Sequence, residues 1–344
     1  MTLLKFGKLA AACASACIAT GVAAGTANAQ EVNLYSSRHY QTDQALYANF
    51  TKQTGIKINR IEAGENELFE RIKNEGANSP ADVLLTVDAA RLGQADQLGL
   101  FAKVDSSILK ARIPAHLRTP GWYAFSTRAR VIVYNKKSVN GDEVQNYEDL
   151  ANPRLKGKVC VRSGSHPYNL SLGAALLSHL GAQKTSAWAN GLVANFARSP
   201  RGGDTDQIKA VAAGQCGVAL VNSYYVARML GSDNPEDQKY MQSITLVWPN
   251  QAGTGAHINI SGAGVLKTAP NPASAVKFLE YLASDDAQRY LADGNNEWPV
   301  VPSVKTSNPA LAQMGPFKAD DMQIGSVASQ QAAVQRIYDR AGWQ

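Results

Sequence analysis

Cysteine is scarce in this chain, with four residues in 344. Cys13 and Cys17 fall in an Ala-rich N-terminal stretch, which leaves Cys160 and Cys216 to the folded part. C-x-x-C spacing is absent, and this excludes zinc ribbons and thioredoxin-type redox motifs. G-x-S-x-G, H-E-x-x-H and the P-loop are missing too, so the common hydrolase, metalloprotease and nucleotide-binding signatures have no foothold. The net charge of +6 is mild and spread out, without the Arg/Lys cluster or basic tail that nucleic acid requires. Internal repeats, low-complexity tracts and Gly/Ser linkers are also lacking.

What is present begins with a leader. "MTLLKFGK" carries two lysines and no acid, "LAAACASACIATGVAAG" is small and apolar, and "ANA" at 27–29 is an A-x-A cleavage site. Residues 1–29 are therefore expected to be a cleaved secretory signal peptide, which sends the chain to the periplasm. The run is too short and too rich in Ala, Gly, Ser and Thr for a spanning anchor. Neither Cys13 nor Cys17 follows a Leu-containing lipidation box. Cys160 and Cys216 each sit in a short apolar strand, and in an oxidising compartment they are either one disulfide or two buried thiols.

The remaining ~315 residues suggest two domains or two lobes. Strand-like and helix-like segments alternate. "VNLYSS" leads to a helix over "TDQALYANFTKQTG", with Thr42 as N-cap and Gly55 as stop. "IKINRIE" precedes a helix with Leu68, Phe69 and Ile72 on one stripe, and "ADVLLTV" precedes one capped by Asp88. Two longer extended segments, "GWYAFSTRARVIVYN" and "AHINISGAGVLK", interrupt this rhythm and are suited to crossing between lobes. The expectation is an α/β clamshell, each lobe a mostly parallel sheet flanked by helices, with two crossing strands and the ligand between the lobes. The signal peptide is followed by an N-lobe of 30–128 plus about 257–310 and a C-lobe of about 129–256 plus 311–344.

Of 13 tyrosines, Tyr47, Tyr281 and Tyr338 lie on helix stripes. Four others follow strand ends at or before helix starts: Tyr40, Tyr168, Tyr224 and Tyr225. In an α/β sheet such positions gather on one edge. A single loop tyrosine is ordinarily a packed ring with a hydrated hydroxyl. Four at equivalent positions suggest a site. A phenol with a pKa near ~10 is a poor ligand for most divalent ions, whereas a trivalent hard cation displaces its proton. Four phenolates suit Fe³⁺ better than Zn²⁺ or Mg²⁺.

"LYSSRHY", "RSGSHPYN" and "VNSYYVARM" resemble the periplasmic ferric-ion-binding proteins of ABC importers, the FbpA/FutA type. The resemblance extends through "DVLLTVDAARL", "TRARVIVYN", the Trp-Pro of "LVWPNQ" and "HINISGAGVLK". It implies a two-lobed type II periplasmic binding protein that captures Fe³⁺, with Fe²⁺ as the alternative oxidation state. The protein would work as a monomer and deliver iron to an inner-membrane ABC permease. The implied ligands are Tyr40, Tyr168, Tyr224 and Tyr225, with His39 at a position that in some members binds or flanks the metal. Arg228 and one of Arg128 and Arg130 are implied to stabilise the phenolates or a synergistic anion such as carbonate. Arg228 follows Tyr224 by four residues, and Arg128 and Arg130 share a strand face. Arg201, beside Gly202 and Gly203, is a further candidate, while Pro167 holds His166 extended and away from a ligand role. Transferrin-like members use an N-lobe carboxylate and histidine with two tyrosines. The early lobe here offers Tyr40 instead, which implies a mainly tyrosinate sphere. The competing reading on the same fold is a binding protein for an organic solute or oxyanion of the thiamine, polyamine or phosphate class; an enzyme is not expected.

Overall fold

The computed structural model describes residues 1–2, 30–38 and 40–344. The signal-peptide expectation for the N-terminal stretch and the ligand expectation for His39 lie outside the described residues. The first half is built as the alternation predicts. Strands β1 (Glu31–Ser36), β2 (Lys57–Glu62) and β3 (Val83–Thr86) pair in parallel in the order β2-β1-β3. Helices α1 (Asp43–Thr54), α2 (Glu65–Glu75) and α3 (Ala89–Gln97) connect and follow them. Leu68, Phe69 and Ile72 are the buried residues of α2. Asp88 caps α3, its carboxylate accepting the Ala90 amide at 2.9 Å. Gly55 ends α1 with φ 72°, a conformation that costs glycine little. Thr42 precedes α1 but does not cap it. Its hydroxyl donates to Asn295 Oδ1 at 2.6 Å, so a tertiary partner takes the group that local sequence assigned to the helix.

After α4 (Ser107–Arg112), strand β4 (Tyr123–Asn135) runs through both halves of the sheet. Its first part, Tyr123 to Ala129, pairs antiparallel with β8 (Ile258–Val265), and Ser126 and Thr127 pair with β9 (Trp298–Pro299). From Arg130 onward it pairs with β6 (Val218–Asn222), and from Ile132 also with β7 (Ile244–Val247). Arg128 and Arg130 thus straddle the changeover. β8 pairs only on the first side, with β3 and β4. Among the named strands of the second half, β6 and β5 (Val159–Cys160) pair in parallel, whereas β4 pairs antiparallel with β6 and β7.

The second half carries α5 (Pro167–Ala194), α6 (Asp204–Ala212), α7 (Ser223–Leu230) and α8 (Pro235–Ser243). α5 is two helical segments broken at Gly181, where φ is 77°. Helices α9 (Pro272–Leu282), α10 (Asp285–Asn295) and α11 (Pro309–Met314) follow β8, and α12 (Val327–Ala341) packs on both α5 and α3. Among the described residues no helix is long and apolar enough to cross a membrane. Trp343, just beyond α12, is fully buried against Trp188, Phe196 and Tyr338, and its indole N–H donates to the Arg162 carbonyl at 3.0 Å. Cys160, at the end of β5, and Cys216, just before β6, are joined by a disulfide, their Cα atoms 5.9 Å apart.

Candidate metal centre

Three chain turns supply the phenols. Tyr40 follows β1 and is half-buried. Tyr168 lies in the first turn of α5, after Pro167, whose missing N–H costs nothing there. The His166 imidazole caps this helix, its Nδ1 accepting the Tyr168 amide at 3.2 Å. Burial, with Arg162 nearby, depresses the His166 pKa to about 3, which leaves that nitrogen free to accept. Tyr224 and Tyr225 open α7, which is helical from Ser223, directly after β6. Consecutive helical residues diverge by roughly 100°, against the opposite faces of a strand, so both rings reach one region. Their centroids are 4.3 Å apart. The Ser223 hydroxyl accepts the Ala129 amide at 3.0 Å and ties the start of α7 to β4.

The four phenols converge. The hydroxyls of Tyr168 and Tyr224 are 3.0 Å apart. Burial holds the Tyr224 pKa well above its ordinary value, and the Tyr168, Tyr225 and Tyr40 phenols raise it further. Burial pushes Tyr168 up to about 12 against the pull of Arg128. Tyr40 is raised by burial first and then by Glu297, with Arg38 and Arg128 opposing. In the absence of a cation the buried phenols are protonated at neutral pH.

A guanidinium lies over each ring. Arg38 is 4.8 Å from the Tyr40 centroid and Arg162 is 5.2 Å from that of Tyr168. Exposed Arg228 spans the pair, 5.8 Å from Tyr224 and 5.6 Å from Tyr225. Arg38 and Arg162 were not among the sequence candidates, although each stands within the same short motif as its tyrosine. The two strand arginines separate. Arg128 is buried, interacts electrostatically with Tyr168, Tyr224 and Tyr40, and has no hydrogen-bond partner for Nε or Nη2 among the described residues. Arg130 is committed elsewhere, to Asp204 at 2.8 Å, Asn222 at 3.1 Å and Asn169 at 2.7 Å. Arg201 is exposed in the turn before α6, where its carbonyl accepts the Gln207 amide.

Among the described residues no group of three or more His, Cys, Asp or Glu is placed to hold a metal ion. The concentrated donors here are phenol oxygens backed by guanidinium charge, a set matched to a small, highly charged, hard cation or to an oxyanion.

A sequence model of the bacterial extracellular solute-binding proteins matches residues 78–323. The chain belongs to this family. Iron uptake protein A1 of Synechocystis sp. is 50% identical over 316 residues, covering 91% of this solute-binding protein and 88% of the relative. A Trichodesmium FutA structure in complex with iron and citrate ligands superposes with a TM-score of 0.88 at 51% identity, over 91% of this chain and 100% of that one. The ferric binding protein from Campylobacter jejuni gives a TM-score of 0.84 at 39% identity, over 91% and 100% of the respective chains. The type II solute-binding fold and the FbpA/FutA resemblance are thereby borne out for this solute-binding protein.

Proposed function

We propose that this protein captures Fe³⁺ in the periplasm, in a cleft between two lobes, and delivers it to an ABC permease. The observation that carries the reading is the convergence of Tyr40, Tyr168, Tyr224 and Tyr225, each ring under a guanidinium. Such a set gives up protons only to a strongly polarising cation, which favours a trivalent ion over the divalent ions around it. The names of the relatives, an iron uptake protein and ferric binding proteins, support the same cargo.

In this reading the lobes are 30–128 with about 257–310, and about 129–256 with 311–344. Tyr168, Tyr224 and Tyr225 belong to the second lobe and engage first; Tyr40 completes the sphere from the first lobe as the clamshell closes. Four phenolates on Fe³⁺ leave one negative charge, which Arg128 and Arg228 offset. The two unpartnered donor nitrogens of Arg128, Nε and Nη2, suit phenolate oxygens or a small oxyanion such as carbonate. The work is transport rather than catalysis. Titration of the metal-free protein with ferric citrate tests the proposal. A red-orange phenolate-to-iron charge-transfer band at one equivalent is expected; no band, with tight binding of an organic solute instead, would overturn it.

A further inference from the structure

The turn between α10 and β9 introduces a carboxylate beside the phenols. Asn296 takes the left-handed conformation, φ 57°, and the chain then reverses so that Glu297 is 2% exposed. Its Oε2 accepts from Arg38 Nη1 at 2.9 Å and from Ser126 Oγ at 2.9 Å. Its Oε1 is 3.7 Å from Arg128 Nη1. Ser261 Oγ accepts from the same two guanidiniums, at 2.8 Å from Arg38 and 3.0 Å from Arg128. Both cations face the phenols, Arg38 over the Tyr40 ring and Arg128 toward Tyr168, Tyr224 and Tyr40.

The charge count at this spot is informative. Arg38 already has a carboxylate of its own, Asp43, whose two oxygens accept at 2.9 and 3.2 Å. Glu297 is a second buried anion on a cation already paired, and it leaves two Arg128 donors unfilled. A buried carboxylate here subtracts positive potential where the proposed ligand set accumulates negative charge. Its field acts on Tyr40 already, where it ranks next after burial in disfavouring the phenolate.

We infer that Glu297 sets iron release: its carboxylate offsets Arg38 and Arg128 and so keeps the phenolate site from holding its cargo as tightly as the ligands alone would. This rests on the iron reading above. A group that only braced the site would have the opposite signature, because its loss would loosen the ligands and speed release.

The test follows the charge-transfer band after ferric citrate loading, on addition of excess EDTA, in wild type and Glu297→Gln. The amide keeps the shape and an acceptor for Arg38 while removing the charge. Loss of one unit charge at this range slows release in Glu297→Gln by roughly tenfold or more. Unchanged or faster release in a folded variant overturns the inference. If Glu297→Gln does not fold, the same substitution is compared within Arg128→Gln, which removes the neighbouring cation and leaves the Arg38–Asp43 pair intact. Adding Glu297→Gln must again slow release about tenfold, and no slowing overturns the inference. Absence of a band in wild type overturns the iron reading itself, whereas a wild-type band without slower release in the variant overturns only the role of Glu297.

Discussion

The Tyr168 and Tyr224 hydroxyls lie 3.0 Å apart, although the two residues are 56 positions apart in sequence and open different helices. One proton lies between two oxygens that would both be anionic around a cation. Replacing either phenol removes a ligand and leaves the other without its partner. Tyr224→Phe and Tyr168→Phe should each weaken Fe³⁺ binding by more than the ~10–100-fold typical of losing a residue that merely supports a ligand. The charge-transfer band should weaken or shift in both. Tyr281→Phe, on the buried face of α9, should leave the band unchanged.

Arg130 and Arg128 should respond differently to truncation. Arg130 shares Asp204 with Arg162, and Asp204 is fully buried. Arg130→Met strands most of that charge, and a loss of about 3–5 kcal/mol in urea unfolding is expected. Arg128→Met leaves no such orphan, because Glu297 keeps Arg38. Its larger effect should be weaker iron binding.

Reduction of the Cys160–Cys216 disulfide should cost stability without abolishing the site. The bridge spans 56 positions between the neighbouring strands β5 and β6. About 2–4 kcal/mol is expected from its loss. The measurement is the urea midpoint of a Cys160→Ser/Cys216→Ser protein against the oxidised parent; equal midpoints would count against a stabilising bridge.

His257 gives the fold an acid-sensitive point. It is buried, its Nε2 is 2.9 Å from the Ser171 hydroxyl, and burial first, then Arg130, His179 and Arg128, depress its pKa to about 3. The unfolded imidazole titrates near 6.5. The folded state therefore binds fewer protons between these values, and the contribution of His257 is complete above 6.5 and declines as pH falls toward 3. A slope of up to roughly 1.4 kcal/mol per pH unit is expected from this group. Urea unfolding at pH 7 and pH 5 should show a smaller difference for His257→Gln than for the parent.

The legible part of the site was whatever short stretches of chain encode. Tyr40, Tyr168 and the adjacent pair stand where strands give way to helices, and that position alone directs them to one edge of the sheet. Period two put Arg128 and Arg130 on one face but could not rank them. Asp204, brought in by α6, captures one and leaves the other to the phenols. Arg38 and Arg162 were hidden in plain view, since each guanidinium stands only two or six positions before the ring it covers. Glu297 was illegible because its partners are drawn from β4 and the turn after β1, far away in sequence. The Thr42 hydroxyl went to Asn295 for the same reason: a distant segment outbid the local cap.

Trp343 bears on the order of events in folding. A side chain at Gly164 would run into the Trp343 backbone carbonyl, and the Arg162 carbonyl accepts the Trp343 indole N–H. The loop that leads into Tyr168 is thus moulded around a residue made some 180 positions later. A nascent chain that has only reached the end of α7 already possesses all four phenols but lacks the surface that shapes the approach to one of them. Binding competence should therefore arise late and abruptly, after synthesis has passed residue 343, rather than grow lobe by lobe as the chain emerges.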